Sequence, residues 1–299
     1  HSRQARESLR GRMRSTPDDF PQLSDVLRCP QAPVDVNSIN TDATSQTPGG
    51  KRDTLEQFQP MAEELSELQE RLFARGRNNP DHARRVLIVL QGLDTAGKGG
   101  VVRHVVAMVD PQGINHHSFK APTQEELRHD FLWRGKKALP EPGMLGVFDR
   151  SHYEDVLVPR VENLVEEEVW RKRYDLINDF EMNLAARGTN IIKCFLHISP
   201  DVQKERLAAR LNDPAKYWKY DPGDLDTRSK WAEYIEAYNE LLSRCNPDIA
   251  PWYIIPSDHK WYRNWAMGRI LLETMRSMKL TWPPANFDVE AEKRRLEQA

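Results

Sequence analysis

The run Val86-Leu87-Ile88-Val89-Leu90, which breaks into Gln91-Gly92-Leu93-Asp94-Thr95-Ala96-Gly97-Lys98-Gly99-Gly100, admits very few folds. Its apolar, β-branched half suits a strand buried on both faces, and Gly92 to Lys98 has the spacing G-x-x-x-x-G-K of a phosphate-binding loop. The glycines let backbone N–H groups turn inward around an anion, and a helix predicted over Val101–Val109 adds its positive end. Lys98 supplies the full charge. Glycine-rich strand-to-helix turns also occur merely for close packing, but here strand, glycines, lysine and helix stand in the order phosphate binding needs. Such loops normally follow the lysine with Ser or Thr, whose hydroxyl helps hold magnesium. This chain has Gly99 instead, so the metal needs another oxygen, and Asp94 is the nearest candidate.

A second apolar segment, Gly143 to Phe148, ends in Asp149-Arg150. In α/β sheets ligands sit beyond the carboxyl ends of parallel strands, so Asp149 lies near the phosphate loop if the two strands are neighbours. Further strands are predicted at Ile114–Lys120, Asn190–Ile198 and Trp252–Ile255. Helices alternate with them: Met61–Arg75, one opened by the capping box Thr123/Glu126 and running through Trp133, a charged one over Glu162–Arg187, and one capped by Ser199 with Pro200 in its first turn. Two more follow, one striped by Trp231, Tyr234, Tyr238 and Leu242, and a last one capped by Asp258 through Met278. This alternation predicts an α/β fold with a five-stranded parallel sheet flanked by helices and joined by right-handed crossovers.

Around that core, residues 1–52 read as an N-terminal arm, polar and proline-rich. It is partly disordered or wraps onto the domain or a second subunit through Phe20, Leu23, Val26 and Leu27. Residues 53–284 form the domain, and residues 285–299 are a charged tail. The formal net charge of -2 argues against a dedicated nucleic-acid binder, so a polyanionic partner has to meet a local basic patch. Three cysteines, Cys29, Cys194 and Cys245, have spacings of neither a zinc site nor a disulfide framework, which fits a reducing cytoplasm. No apolar run approaches a membrane span, and no secretory leader is expected.

The candidate chemistry is phosphoryl transfer, in which a protein mostly positions phosphates and stabilises their charge. Asp94 and Asp149 suit a metal that takes one or two carboxylates and fills its other positions with phosphate oxygens and water. Asp149 can alternatively activate the attacking phosphate or orient Arg150. Arg206 and Arg210 share one helix face, and with Lys216 and Lys219 they suit a mobile lid over a polyanion, spanning about residues 206–226; a merely solvated basic face is the plain alternative. Lys120, Arg128, Arg134, Lys136 and Lys137 can extend a cationic track. His116 and His117 point to opposite faces of a strand and make no compact metal pair. His152, next to this acid, is a candidate hydrogen-bonding group or a structural one.

With these residues assembled, the chain resembles the family 2 polyphosphate kinases. The matching motifs are Gly92 to Gly100, Pro122 to Leu127 with Asp130 to Arg134, Phe148-Asp149-Arg150-Ser151-His152-Tyr153-Glu154-Asp155-Val156, the stretch Asp213-Pro214 to Lys219, and Asp258 to Asn264. They span about residues 55 to 280. The resemblance implies a P-loop kinase fold similar to thymidylate kinase with a helical lid, and magnesium as cofactor with manganese as a substitute. Asp94, Lys98, Asp149 and Arg150 are then catalytic. Gly92, Ala96, Gly97, Gly99, Gly100, Arg206, Arg210, Lys216 and Lys219 bind phosphate, and His152, Glu154 and Asp155 bind the nucleotide. It further implies inorganic polyphosphate and adenine or guanine nucleotides as partners, AMP or ADP as acceptor, no nucleic acid or membrane, and a homo-oligomer. Two rivals are an ATP-dependent nucleoside monophosphate kinase and a non-catalytic nucleotide-binding module.

Overall fold

A computed structural model describes residues 22–299; the predicted contact of Phe20 lies outside them. Five parallel strands, β1 (Arg85–Gly92), β2 (Ile114–Ser118), β3 (Leu145–Asp149), β4 (Thr189–His197) and β5 (Trp252–Pro256), form one sheet in the order β2-β3-β1-β4-β5. All five predicted strands are therefore present. β1 lies at the centre, with Leu90 level with Asp149 of β3 and with Cys194 of β4. The chain leaves β1 toward one edge of the sheet and β4 toward the other, so a crevice opens beyond the carboxyl ends of these two neighbours.

Because side chains alternate along a strand, Val86, Ile88 and Leu90 enter one core and Leu87 and Val89 the other. The first core packs against α1 (Phe58–Asn78), α2 (Lys98–His104) and α7 (Lys260–Ser277). The second packs against α3 (Glu154–Val161), α4 (Glu167–Ala186) and α6 (Trp231–Arg244). The amphipathic α5 (Pro200–Leu211) follows β4 with its Ser199 Oγ accepting from Val202 N. Val86 to Leu90 are essentially fully buried. At about 2 kcal/mol for each buried aliphatic side chain, this strand anchors the loop after it far more firmly than the loop's own contacts do.

Residues 22 to about 49 wrap along β5. Leu23 and Leu27 enter the first core, while Cys29, Val34 and Val36 enter the second. Cys29 N donates to Trp252 O at 2.9 Å, and Val34 N and Val36 N donate to Ser243 Oγ and Asn239 Oδ1. The segment thereby covers an edge strand that would otherwise present unpaired backbone. The described cysteines are all buried and free.

Three helix expectations need correction. The Thr123/Glu126 capping box is present, but the helix it opens is only Gln124–Leu127, because Asp130 Oδ1 accepts from Leu132 N and turns the chain before a second short helix, Trp133–Lys137. The charged helix starts at Glu167 rather than Glu162, because a break with Asn163 at φ 53 separates α4 from α3. Asp258 does not cap α7; its carboxylate instead accepts from Ser199 N and from Thr41 Oγ1.

Candidate active site

The loop after β1 closes tightly. Ala96 N donates to Leu93 O, Thr95 takes φ 69 and Gly97 takes φ 113, a left-handed value that glycine adopts without strain. Lys98 opens α2 and is 8 % exposed, with Nζ donating to Gly92 O at 2.9 Å. Burial lowers its pKa, helped by Arg150 and opposed by Asp94, Asp149 and Glu154, so these five side chains share one electrostatic environment. Gly99 is exposed and Gly100 partly so.

On the neighbouring strand, Arg150 N continues the pairing by donating to Leu90 O, with Arg150 itself at φ 60. Its guanidinium bridges two acids, Asp94 Oδ1 and Glu154 Oε1, each at 3.1 Å. Glu154 and, after the opposing effect of burial, Asp94 hold the guanidinium charge firmly. Asp149 is half-buried, and among the described residues no donor engages its carboxylate. It is the uncommitted acid of the crevice.

The predicted nucleotide-binding trio separates. Glu154 faces the crevice through Arg150. Asp155 pairs with Arg134 at 3.2 Å, and its pKa is raised by burial despite that partner. His152 is turned away: it is 1 % exposed, and its Nε2 meets Glu181 Oε2 at 2.9 Å inside a buried network with Tyr153 and Lys193. In this arrangement its side chain is not available to a nucleotide, because the network needs it as a donor to a buried carboxylate. The network pins the turn that carries Arg150.

The cations divide as well. Arg206 is a clamp rather than a free lid charge: it donates to Thr95 O, Ser257 O and Asp258 O, tying the loop to the end of β5. Gln203 on the same helix donates to Asp94 O at 2.9 Å. Arg210 donates to Lys219 O and lies 3.9 Å from Asp224. Lys216 and Lys219 are exposed on the turn Pro214–Lys219, where Trp218 is 78 % exposed. Arg134, read from sequence as a track residue, is buried and donates to Lys120 O. It walls a pocket of about 480 Å³ beside the end of β2, lined among others by Phe119, Thr123, Trp133 and Lys137.

Two features escape sequence reasoning. Behind the loop, Lys260 is depressed by burial and then by Arg206, Arg263, Lys216 and Arg210, while His104 is depressed by burial, Arg103, Arg263 and Lys260. This is a cluster of basic groups drawn from three separate segments: Arg206, Arg210 and Lys216 are legible as lid cations, but only the fold joins Arg103, His104, Lys260 and Arg263 to them. The other is Asp224, on the short helix Gly223–Ser229, whose carboxyl is raised to about 6 by burial and by the nearby Asp94 and Asp221. A carboxyl raised on folding contributes stability below its unfolded pKa of about 4 and loses it as pH rises through about 6. In metal-free buffer Asp224→Asn is therefore expected to melt above the wild type at pH 7.5 and level with it near pH 4. Melting curves across that range check this, and a gain that persists at pH 4 would contradict it.

Among the described residues no group of three His, Cys, Asp or Glu side chains can hold a metal, and no helix is long and apolar enough to cross a membrane. Asp149 and the Asp94 oxygen that Arg150 leaves free could hold a divalent metal, whose remaining positions substrate oxygens would fill.

A sequence model of the family "Polyphosphate kinase 2 (PPK2)" matches residues 51–282. An AMP/ADP-polyphosphate phosphotransferase of Meiothermus ruber is 44 % identical over 254 residues, covering 85 % of this chain and 93 % of the relative. An ADP-polyphosphate phosphotransferase of Rhodopseudomonas palustris is 42 % identical over 240 residues, 76 % of this chain and 81 % of the relative. The crystal structure of polyphosphate kinase 2 from Arthrobacter aurescens superposes with a TM-score of 0.89 at 44 % identity, over 93 % of this chain and 98 % of that one.

Proposed function

The chain belongs to the polyphosphate kinase 2 family, and from that membership and the site geometry we propose that it transfers phosphate from inorganic polyphosphate to AMP, ADP or both, reversibly and with a divalent metal. The observation that carries the site assignment is the uncommitted Asp149 carboxylate beside Lys98 and the Asp94–Arg150–Glu154 bridge. The two rival readings, an ATP-dependent nucleoside monophosphate kinase and a non-catalytic module, have no comparable support.

The donor lies on the β4–β5 side. A linear polyanion needs consecutive cations, and on that side Lys260 shares its surroundings with Arg206, Arg263, Lys216 and Arg210, as His104 does with Arg103. This replaces the track read around Lys120 and Arg134, which walls the pocket at the opposite edge. The acceptor nucleotide occupies that pocket, whose lining includes the cations Lys120 and Lys137 and the aromatic Trp133. An oxygen of its terminal phosphate attacks the end phosphorus of polyphosphate; one P–O bond forms, the adjoining bridging P–O bond breaks, and the polymer leaves one unit shorter. Lys98 and Arg150 stabilise charge on the transferring group. Magnesium, or manganese in its place, held by Asp149 and Asp94, supplies further neutralisation. Adenine or guanine bases and a homo-oligomer belong to the same proposal, the latter supported by exposed Val169 and Leu176 two turns apart on α4.

The test is incubation with AMP, magnesium and polyphosphate without ATP. ADP should form, and the KM for polyphosphate should rise steeply with salt, as expected for a ligand held by many phosphate contacts. No product, together with turnover when ATP is the donor, would overturn the proposal.

A further inference from the structure

Arg263 stands on the first turn of α7, inside the motif Asp258–Asn264, and nothing above gives it a task. It is 3 % exposed. Among the described residues its guanidinium has no carboxylate partner: Nε and Nη2 both donate to Asn264 Oδ1 at 3.1 Å, and Nη1 reaches only as far as Ala96 O at 3.4 Å. Burial, and then repulsion from Arg206, bring its pKa down to about 10. Breaking even with such a group is difficult, since a buried cation needs a counter-charge and a full set of acceptors, whereas an apolar side chain of similar volume packs at lower cost. A fold that keeps this side chain therefore keeps it against its own stability, which is common at functional sites.

Its placement shows where it acts. The guanidinium lies against Gly97 and Gly100, so a Cβ on either glycine would overlap it. Gly97 also has its left-handed φ, but Gly100 has no such backbone requirement. A Cβ on Gly99, between them in sequence, would meet nothing within 4 Å. The last glycine of the loop motif is thus explained by a side chain more than 160 residues away in sequence, with 167 residues separating Arg263 from Ala96.

We infer that Arg263 is a positioning residue of the phosphate loop: its guanidinium forms the support under Gly97 to Gly100, sets the curvature of that turn, and keeps an unneutralised positive charge behind the donor's anion seat. The inference rests on the reading of the loop as the polyphosphate site. It differs from a direct contact in predicting that Gly100 and Arg263 act as one unit.

Arg263→Met, Gly100→Ala and the double variant test this in the full chain, with melting temperature, KM for polyphosphate, KM for the nucleotide and kcat measured on each. Arg263→Met should melt at or above the wild type, raise the KM for polyphosphate about tenfold or more, and leave the nucleotide KM within about twofold. Gly100→Ala, which pushes the guanidinium aside, should reproduce that pattern, and the double variant should be no worse than the poorer single one. A merely structural side chain would instead lower the melting temperature and move both KM values together. That result overturns the inference, as does a polyphosphate KM within threefold of wild type in either single variant, or full additivity in the double. If Arg263→Met does not fold, Gly100→Ala decides alone, because it keeps Arg263 in the chain. A wild type that fails to use polyphosphate falls on the proposed function; a wild type that uses it, with unaffected variants, falls on this inference only.

Discussion

Asp149→Asn is expected to lower kcat about a thousandfold, or about 4 kcal/mol of transition-state stabilisation, while leaving the fold intact. The activity loss follows from position: Asp149 ends β3 level with Leu90, at the mouth of the crevice and within the field of Lys98. The intact fold follows from what the carboxylate lacks, since no described donor engages it and the amide breaks no contact. Kinetics at rising magnesium or manganese separate the two roles open to this acid. A metal ligand gives a variant whose activity partly recovers at high metal concentration, whereas a group that activates the attacking phosphate gives one that does not. Turnover within tenfold of wild type at the metal concentration that just saturates the wild type would remove Asp149 from the machinery.

Lys98→Met should cost a similar factor in kcat/KM, with the opposite signature from an ordinary core mutation. The ammonium is 8 % exposed and donates to a single carbonyl, Gly92 O. Its desolvation is the main reason its pKa falls. Replacing it by an unbranched apolar chain of similar length removes a buried charge and leaves one carbonyl with a lone pair to satisfy, so the melting temperature should stay level or rise. Paired activity assays and thermal melts decide the matter. Loss of stability and activity together would mean that Lys98 holds the loop rather than the substrate, and near-normal activity would refute its assignment.

Much of this site is legible in the chain because its parts are local. A strand, a turn and a helix start within fifteen residues need only short-range backbone preferences, and the apolar run that becomes β1 specifies its own burial on two faces. The same holds for Asp149-Arg150 at the end of β3. Readings failed where a polar group had a choice of partners. Asp258 looks like a helix cap but serves Ser199 and Thr41 instead. Asp130 shortens a helix whose capping box, Thr123 with Glu126, does form. His152 looks like a ligand-facing group because it follows Asp149 and Arg150, yet its Nε2 meets Glu181, a carboxylate held inside the fold by Lys193.

By itself, then, the sequence determined the phosphate loop, the parallel sheet around it, the acid at the end of the neighbouring strand and the family to which they belong. Only the tertiary structure decided which charges are spoken for. Arg206 reaches Thr95 across 111 residues of chain and Arg263 reaches Ala96 across 167, so no spacing rule relates them. Backbone geometry is governed by neighbours in sequence. The free energy of a charge is governed by burial and by whatever counter-charges the fold brings near; among the described residues Asp149 and Lys260 have no ion-pair partner, while Arg134, Arg206 and Asp155 are already engaged.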